Sequence, residues 1–237
     1  MSQLRQRRIL HEIKQINKKQ GEHGIYYYVN DENINKILVM IIGPEDTPYG
    51  LGFYFFEAIY PENYPFSPMK VKFLTTDPNV RMNPNLYGNG KVCLSILGTW
   101  SGPGWTSIMN IFSIFISIVA EIFIKEPFKN EPGQENSSKK NNLHYNNYLY
   151  HENLRLAIIN SYIASPYSKY FMDYINKFIK SNKEKYINLL KFYELQKEEN
   201  KNTVVFNTPN LWSRYSHNNI YDVLIDNFKS ILESIKT

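Results

Sequence analysis

The sequence predicts an α+β fold, in which an N-terminal helix precedes a four-stranded antiparallel meander and further helices follow. The helix is predicted over about residues 4–19, because Ile9, Ile13 and Ile16 recur at the spacing of one helix face. Four β-rich runs come next, at residues 25–29, 36–42, 52–60 and 70–75. The turn-forming stretches between them are too short for a crossover helix, so neighbouring strands are expected to pair antiparallel.

Regular patterning stops after the last of these runs, and residues 76–107 are rich in Asn, Gly and Pro. A long irregular segment inside a compact domain usually carries function. The nearly apolar residues 108–124 then predict a core helix. The run is at the lower limit for a membrane span and contains Asn110 and Glu121, so a buried helix is favoured over a membrane helix.

The chain after residue 135 changes to helical patterns joined by polar stretches. Helices are predicted at 145–164, at 167–200 as one helix or two, and at 218–236. The connecting stretches are a candidate linker or boundary over 136–142 and a loop over 201–217. We therefore predict two parts, a core over residues 1–135 and a helical extension over 136–237. The extension is expected to pack on or follow the core, because its apolar faces need burial.

The composition limits where the protein works and what it binds. Cys93 is the only cysteine, which excludes an internal disulfide and favours a reducing compartment, the cytoplasm or the nucleus. The net charge is +5, and the whole excess lies in residues 1–20. From charge alone, a solvated helix face is favoured over a helix that docks on an acidic partner or nucleic acid.

The chemistry open to Cys93 is narrow. No second soft ligand lies near it for a metal, and a phosphate-cradling loop would need Arg where Thr99 stands. A cysteine–histidine pair would need a histidine brought in from elsewhere. Thioester exchange needs little help from a base, because both thiols have a similar pKa, and a nearby oxyanion donor such as Asn85 helps more. A small buried hydrophobe is the structural alternative.

Several motifs in order resemble the ubiquitin-conjugating enzymes, the E2s. They are RRILHEIKQI, GPEDTPYGLG, YPFSPMK, NPN, GKVCLSIL, a later Trp105 and the apolar helix. Three features resemble the E2 Z class in particular, in which the second ubiquitin-activating enzyme supplies the modifier. These are NPN in place of HPN, the extra residues between Cys93 and Trp105, and NEPG after the core helix. The conjugating domains of giant hybrid E2/E3 proteins share some of these features.

The resemblance implies the E2 (UBC) fold and a set of catalytic roles. Cys93 would accept ubiquitin, or a ubiquitin-like modifier, from an E1 as a thioester and pass it to a lysine amine or an E3. Asn85 would stabilise the oxyanion or order the loop, and Glu131 would orient the incoming lysine. Ser95 stands where many E2s have an acid, so Glu131 is expected to be the main carboxylate near the site. No cofactor or metal is implied.

The resemblance also implies two docking surfaces, with no nucleic acid and no membrane as partners. The E1 is expected to bind through Arg5, Arg7 and Arg8. The E3 is expected to bind through Phe66, Thr106 and Ser107. Phe66 lies in a proline-rich turn, and the alternative to E3 binding is that its side chain is buried in the hydrophobic core. A non-catalytic E2-like binding module and an unrelated cysteine hydrolase remain the alternatives to an active E2.

Asn83, Met69 and Ser107 depart from the family pattern. Asn83 stands where the family usually has a histidine that serves mainly as a hydrogen-bond partner, so the details of the active-site loop are in question. Met69 and Ser107 replace prolines of the E3-binding loops, which leaves the class of E3 open.

Overall fold

The computed structural model describes residues 3–199, 203–206, 215–218 and 220–235. Helix α1 (Gln3–Lys18) leads into a four-stranded antiparallel sheet of order β1-β2-β3-β4. The strands are β1 (Ile25–Val29), β2 (Lys36–Ile42), β3 (Phe53–Ile59) and β4 (Lys70–Phe73). The fold is α+β, and the predicted helix and meander are confirmed.

Further helices follow the sheet, close to the segments where the sequence predicts them. They are α2 (Ile111–Ser117), α3 (Lys139–Glu152), α4 (Ser161–Ile163), α5 (Met172–Ser181), α6 (Lys183–Glu199) and α7 (Ile220–Ser234). Two π-helices among the described residues, Ile118–Ile122 and Asn153–Asn160, continue α2 and α3. The described part of the chain also has four 3₁₀ turns, at Glu22–Gly24, Ser95–Leu97, Pro127–Asn130 and Ser168–Tyr170.

Two of the predicted connections contain regular structure. The linker interpretation of 136–142 is wrong, because the Ser138 side chain accepts from the Asn141 N–H at 3.2 Å and caps α3, which begins at Lys139. The interpretation of this stretch as a boundary stays a prediction. The loop expected over 201–217 contains β5 (Thr203–Phe206) and part of β6 (Tyr215–Asn218), which pair antiparallel. The β-branched TVVF sequence favours this extended structure. The remainder of that predicted loop, at 201–202 and 207–214, lies outside the described residues.

Both faces of the sheet are buried. Successive residues of a strand point to opposite faces, so Val39 packs with α1 and α2 on the inner face. Met40 and Phe55 point outward and pack against residues of the extension such as Phe171 and Ile175. This double burial explains why β2 reads KILVMII, a continuous apolar run without alternation.

Helix α3 and its π-helical continuation join the two cores. Leu149 belongs to the inner cluster, whereas Leu154 belongs to the outer one. Asn153 is buried between them, accepts from the Tyr54 hydroxyl at 2.6 Å and donates to the Gly50 carbonyl at 2.9 Å. Gly52 makes this close approach possible, because a Cβ there would clash with the Asn153 side chain. Residues from α3 onward therefore contribute to both cores.

The apolar run at 108–124 forms the core helix that the sequence predicts. Ile114, Phe115 and Ile118 are fully buried within the inner cluster. Across the described ranges, no helix is both long and apolar enough to cross a membrane.

Candidate active site

Asn83 is the central hydrogen-bonding residue of the irregular segment. Its side chain is fully buried, and its Nδ2 donates to the Tyr49 hydroxyl at 2.9 Å and to the Ile122 carbonyl at 2.8 Å. Its Oδ1 accepts from the Asn85 backbone N–H at 2.8 Å and from Asn130 Nδ2 at 3.3 Å. One amide therefore links the β2–β3 turn, the Asn85 loop, the end of the core helix and the loop that precedes Glu131. Asn83, which stands where the family usually has a histidine, therefore forms all four hydrogen bonds that a side-chain amide can make.

The π-helix after α2 supplies two of the carbonyls that fix these loops. Its wider turn is closed by a bond from the Phe123 N–H to the Ile118 carbonyl, at 3.2 Å. The carbonyls of Glu121 and Ile122 then accept from side chains instead, with Asn130 Nδ2 at 2.9 Å from the Glu121 oxygen. Such π segments often occur at functional sites, and here the segment connects the core helix to the active-site loops.

Cys93 lies beside Asn85 and is buried. Its backbone N–H donates to the Asn85 carbonyl at 2.9 Å, and only 1% of the residue is exposed. The Thr99 hydroxyl forms hydrogen bonds with both sequence neighbours of Cys93. It donates to the Val92 carbonyl at 2.7 Å and accepts from the Leu94 N–H at 3.0 Å. This pair of bonds, the Thr99 clasp, holds the segment around the thiol closed. This burial agrees with two interpretations of Cys93. It is either a small buried hydrophobe or a nucleophile that becomes accessible when the surrounding segment opens.

Asn85 has an uncommitted side chain. The residue is 7% exposed, and its buried Oδ1 has no hydrogen-bond partner within the described part of the chain. It lines a cleft of about 260 Å³, together with Leu94, Trp100 and Pro132. Buried amide groups are nearly always paired, so this acceptor is available to water or to another donor that enters the cleft.

Glu131 does not line this cleft. Its carboxylate lies 3.9 Å from Arg81 Nη2, and the Arg81 guanidinium stacks on the Tyr87 ring at 3.9 Å. Two other acids, Glu121 and Glu135, lie on the cleft with Asn85. Sequence reasoning missed these two. The available signal was Glu121 as the single acid in an otherwise apolar helical run.

The three arginines predicted to bind the E1 have different environments. Arg5 is 4% exposed, and its guanidinium donates to the carbonyls of Pro61 at 2.7 Å and Tyr60 at 2.9 Å. It joins α1 to the end of the sheet, so Arg5 is buried rather than exposed on α1, and its role in E1 binding stays a prediction. Arg7 is exposed, and Arg8 is half-buried.

The residues predicted to bind the E3 lie together on the surface. Phe66 is 72% exposed, so its alternative core position is wrong. Thr106 and Ser107 are exposed as well. Trp105 Nε1 donates to the Pro65 carbonyl at 2.8 Å and so fixes the loop of Phe66 against the loop of Thr106 and Ser107.

Comparison with known proteins shows the protein family to which the chain belongs. A family model described as ubiquitin-conjugating enzyme matches residues 8–157, so the chain belongs to the ubiquitin-conjugating enzyme family. The match extends past the predicted boundary at 135, into the π-helix that follows α3.

Individual relatives support the resemblance to the E2 Z class. Ubiquitin-conjugating enzyme E2 Z of Danio rerio is 48% identical over 101 residues, which cover 42% of this chain and 31% of that protein. The Homo sapiens E2 Z has the same identity over 28% of its length. Probable ubiquitin-conjugating enzyme protein 17 of Caenorhabditis elegans is 45% identical over 112 residues, which cover 46% of this chain and 15% of that protein. The chain thus matches less than a third of the length of each relative.

One solved structure completes the comparison. A crystal structure of a ubiquitin-conjugating enzyme E2 from Plasmodium falciparum is 29% identical, with a TM-score of 0.42. The alignment covers 50% of this chain and 96% of that one.

Proposed function

We propose that this protein is an active E2. In this proposal Cys93 accepts ubiquitin, or a ubiquitin-like modifier, from an E1 as a thioester and passes it to a lysine amine or an E3. One observation carries the proposal beyond family membership. The Cys93 N–H is bonded to the Asn85 carbonyl at 2.9 Å, while no hydrogen bond occupies the Asn85 side chain among the described residues.

The proposed chemistry consists of two transfers of the modifier's acyl group, first to Cys93 and then to a lysine amine. In charging, the Cys93 sulfur attacks the carbonyl of the E1 thioester, a new C–S bond forms, and the E1 thiol leaves and takes up the proton. In transfer, a neutral lysine nitrogen attacks the carbonyl held by Cys93, a C–N bond forms, and the C–S bond breaks. The nitrogen loses one proton, and the departing Cys93 thiolate takes one up. Both steps pass through an oxyanion, and the Asn85 side-chain N–H groups are the proposed donors to it.

Access to the thiol is part of the proposal, because Cys93 is 1% exposed. Charging requires the Thr99 clasp to open, and segments with few buried contacts open at the lowest free energy. The stretch that follows Thr99 fits this role, since residues 100–104 are exposed.

The proposed E1 surface consists of Arg7 and the exposed part of Arg8. Arg8 Nη2 also donates to the Met109 carbonyl at 2.7 Å, which brings this surface against the loop that holds Thr106 and Ser107. We therefore propose adjoining E1 and E3 surfaces that are used one after the other. The division into a core over 1–135 and an extension over 136–237 also remains a proposal, in which the extension tunes the choice of E1.

The deciding experiment is a charging assay. The full chain is mixed with ATP, ubiquitin and, in separate reactions, each of the two ubiquitin E1s. A ubiquitin adduct that is removed by a reducing agent is expected, and Cys93→Ala should not form it. Because Cys93 is the only cysteine, the adduct can form at no other thiol. Absence of an adduct with both E1s would contradict the proposal.

The burial of Cys93 favours a second candidate, a non-catalytic E2-like binding module. The same assay separates the two, since a binding module forms no thioester. A cysteine hydrolase would need a histidine at Cys93, and no hydrogen bond joins Cys93 to a histidine whose side chain the structure describes.

A further inference from the structure

Arg81 has no part in the proposed chemistry, but its side chain reaches three parts of the active-site region. Its Nη2 donates to the Pro84 carbonyl at 2.5 Å and lies 3.9 Å from the Glu131 carboxylate. Its guanidinium also stacks on the Tyr87 ring, at 3.9 Å from the ring centroid. Only 17% of the Arg81 side chain is exposed. A charged donor that is largely buried makes a stronger hydrogen bond than a neutral one, so this contact holds the loop firmly.

The Pro84 carbonyl belongs to the peptide unit that leads into Asn85. The other polar group of this unit, the Asn85 N–H, donates to Asn83 Oδ1 at 2.8 Å. A peptide unit is planar, so hydrogen bonds to its carbonyl and to its N–H fix its orientation from two sides. Arg81 and Asn83 therefore hold together the backbone from which the Asn85 side chain extends.

The backbone of Arg81 is held in turn by helix α3. The Tyr145 hydroxyl donates to the Arg81 carbonyl at 3.2 Å, and the Arg81 N–H donates to the Tyr148 hydroxyl at 3.4 Å. The two tyrosines are three positions apart and so share one face of α3, with ring centroids 5.9 Å apart. Both tyrosines are buried. Helix α3 begins after the predicted boundary at residue 135, so a helix of the predicted extension reaches the Asn85 loop through Arg81.

The position and the shape of Arg81 both point to orientation and not to substrate binding. Arg81 does not line the cleft beside Asn85, so a nucleophile that enters this cleft does not meet it. A guanidinium is planar and has several donors in that plane. One face can therefore stack on Tyr87 while the edge donates to the Pro84 carbonyl, which a lysine ammonium cannot reproduce.

We propose that Arg81 is a positioning residue for the transfer step and that it links the packing of α3 to the orientation of Asn85. This inference rests on the proposed E2 function. Without the guanidinium, the peptide unit that precedes Asn85 loses one of its two hydrogen bonds. The Asn85 N–H groups are then less often directed at the oxyanion. A misplacement of about 1 Å is enough to slow a reaction by up to roughly 10²-fold.

The test is single-turnover discharge of the Cys93 thioester of the full chain, followed as a function of free lysine concentration after removal of the E1. Arg81→Met keeps much of the side-chain length and removes the charge. It should charge normally and lower kcat for discharge about tenfold, with the KM for lysine unchanged. Arg81→Lys should recover only a small part of this rate, because it keeps the charge without the planar group.

Two further variants test the link to α3 and the effect of losing an arginine in general. Tyr145→Phe keeps the ring and removes the donor to the Arg81 carbonyl, and it should slow discharge about threefold. Arg155→Met is the matched control, since the Arg155 side chain is 21% exposed and pairs with Glu152 at 2.7 Å and Asp77 at 3.0 Å. It should discharge lysine at the rate of the unaltered chain.

A double-mutant cycle asks whether Arg81 acts through Asn85. Arg81→Met/Asn85→Ala should discharge as slowly as Asn85→Ala alone, because the side chain that Arg81 orients is already absent. Slowing of the double variant by the product of the two single effects would overturn the proposal. Unchanged discharge in Arg81→Met, or a raised KM for lysine with kcat unchanged, would overturn it as well. If Arg81→Met does not fold, Tyr145→Phe takes its place in the same cycle.

The outcomes separate this inference from the proposed function. If the unaltered chain does not charge, the E2 function itself is overturned. If the unaltered chain charges and Asn85→Ala discharges normally, the E2 function stands, but Arg81 has no catalytic group to orient and the inference is overturned. Slowed discharge in Arg81→Met with normal charging, an unchanged KM and no further loss in the double variant is the result that supports it.

Discussion

The Tyr49 hydroxyl and the Asn83 side-chain amide lie 2.9 Å apart at a fully buried position. Tyr49 in turn donates to the Met82 carbonyl at 2.9 Å, so the β2–β3 turn holds two consecutive residues of the active-site segment. Burial raises the pKa of Tyr49 above its ordinary value, which keeps this hydroxyl a donor at any physiological pH. The sheet thus positions Asn85 through a single buried amide.

Asn83→Ala should lower the free energy of unfolding by about 3 kcal/mol, because it leaves several buried groups without partners. It should also slow discharge onto lysine, since the Asn85 loop loses its support. Tyr49→Phe is the milder comparison and should cost about 1 kcal/mol. Denaturant unfolding measures both values. Equal and small effects in the two variants would show that Asn83 has no central role.

Asn85→Ala tests the oxyanion donor. Charging should be largely retained, whereas discharge onto lysine should slow by roughly 10²-fold, the usual scale for one lost donor. Single-turnover discharge after removal of the E1 measures the transfer step alone. Unchanged discharge would show that Asn85 is not the donor.

Thr99→Val should speed alkylation of Cys93 by about 30-fold, because it removes two hydrogen bonds of roughly 1 kcal/mol each without changing side-chain shape. Mass spectrometry after timed exposure to a maleimide gives the rate for the only thiol in the chain. Thr106→Val, at an exposed position, is the matched control and should leave the rate unchanged. If both variants react like the unaltered chain, the Thr99 clasp does not control access.

The extension should be inseparable from the core in stability. Phe171 is 1% exposed and stacks on Phe55, with ring centroids 5.8 Å apart. Phe171→Ala should therefore cost about 3–4 kcal/mol in one cooperative transition. Val223→Ala on α7, where the side chain is 61% exposed, should be nearly neutral. Two separate unfolding transitions would show that the extension folds on its own.

Sequence patterns gave the local elements, whereas the site depends on contacts between distant residues. The spacing of Ile9, Ile13 and Ile16 reports a helix because periodicity is a local property. A continuous apolar run such as KILVMII is typical of a strand covered on both faces, but it does not identify the segment that covers the outer face.

The irregular segment has no periodicity, so the motif spacing located Asn85 and Cys93 without showing the bond between them. The fourfold pairing of Asn83 and the acids of the cleft also arise from the tertiary fold. For the same reason, the burial of Arg5 against the carbonyls of Tyr60 and Pro61 was not visible in its position on an amphipathic helix.

Alkaline pH should unfold the protein through its buried tyrosines. Burial raises the pKa of Tyr54 and Tyr193 well above the ordinary value, and burial with the nearby Glu152 charge raises the pKa of Tyr221 to about 12. Their stabilising contribution is complete below about pH 10, where phenols of the unfolded chain keep their protons. Above that pH the unfolded chain loses protons that the folded chain retains, so stability falls as pH rises. Each such tyrosine should contribute a loss of about 1.4 kcal/mol per pH unit until its folded pKa is reached.

Tyrosinate absorbance followed together with circular dichroism should show these phenols ionising only as the fold is lost. Full ionisation of all tyrosines near pH 10 with the fold intact would contradict this expectation.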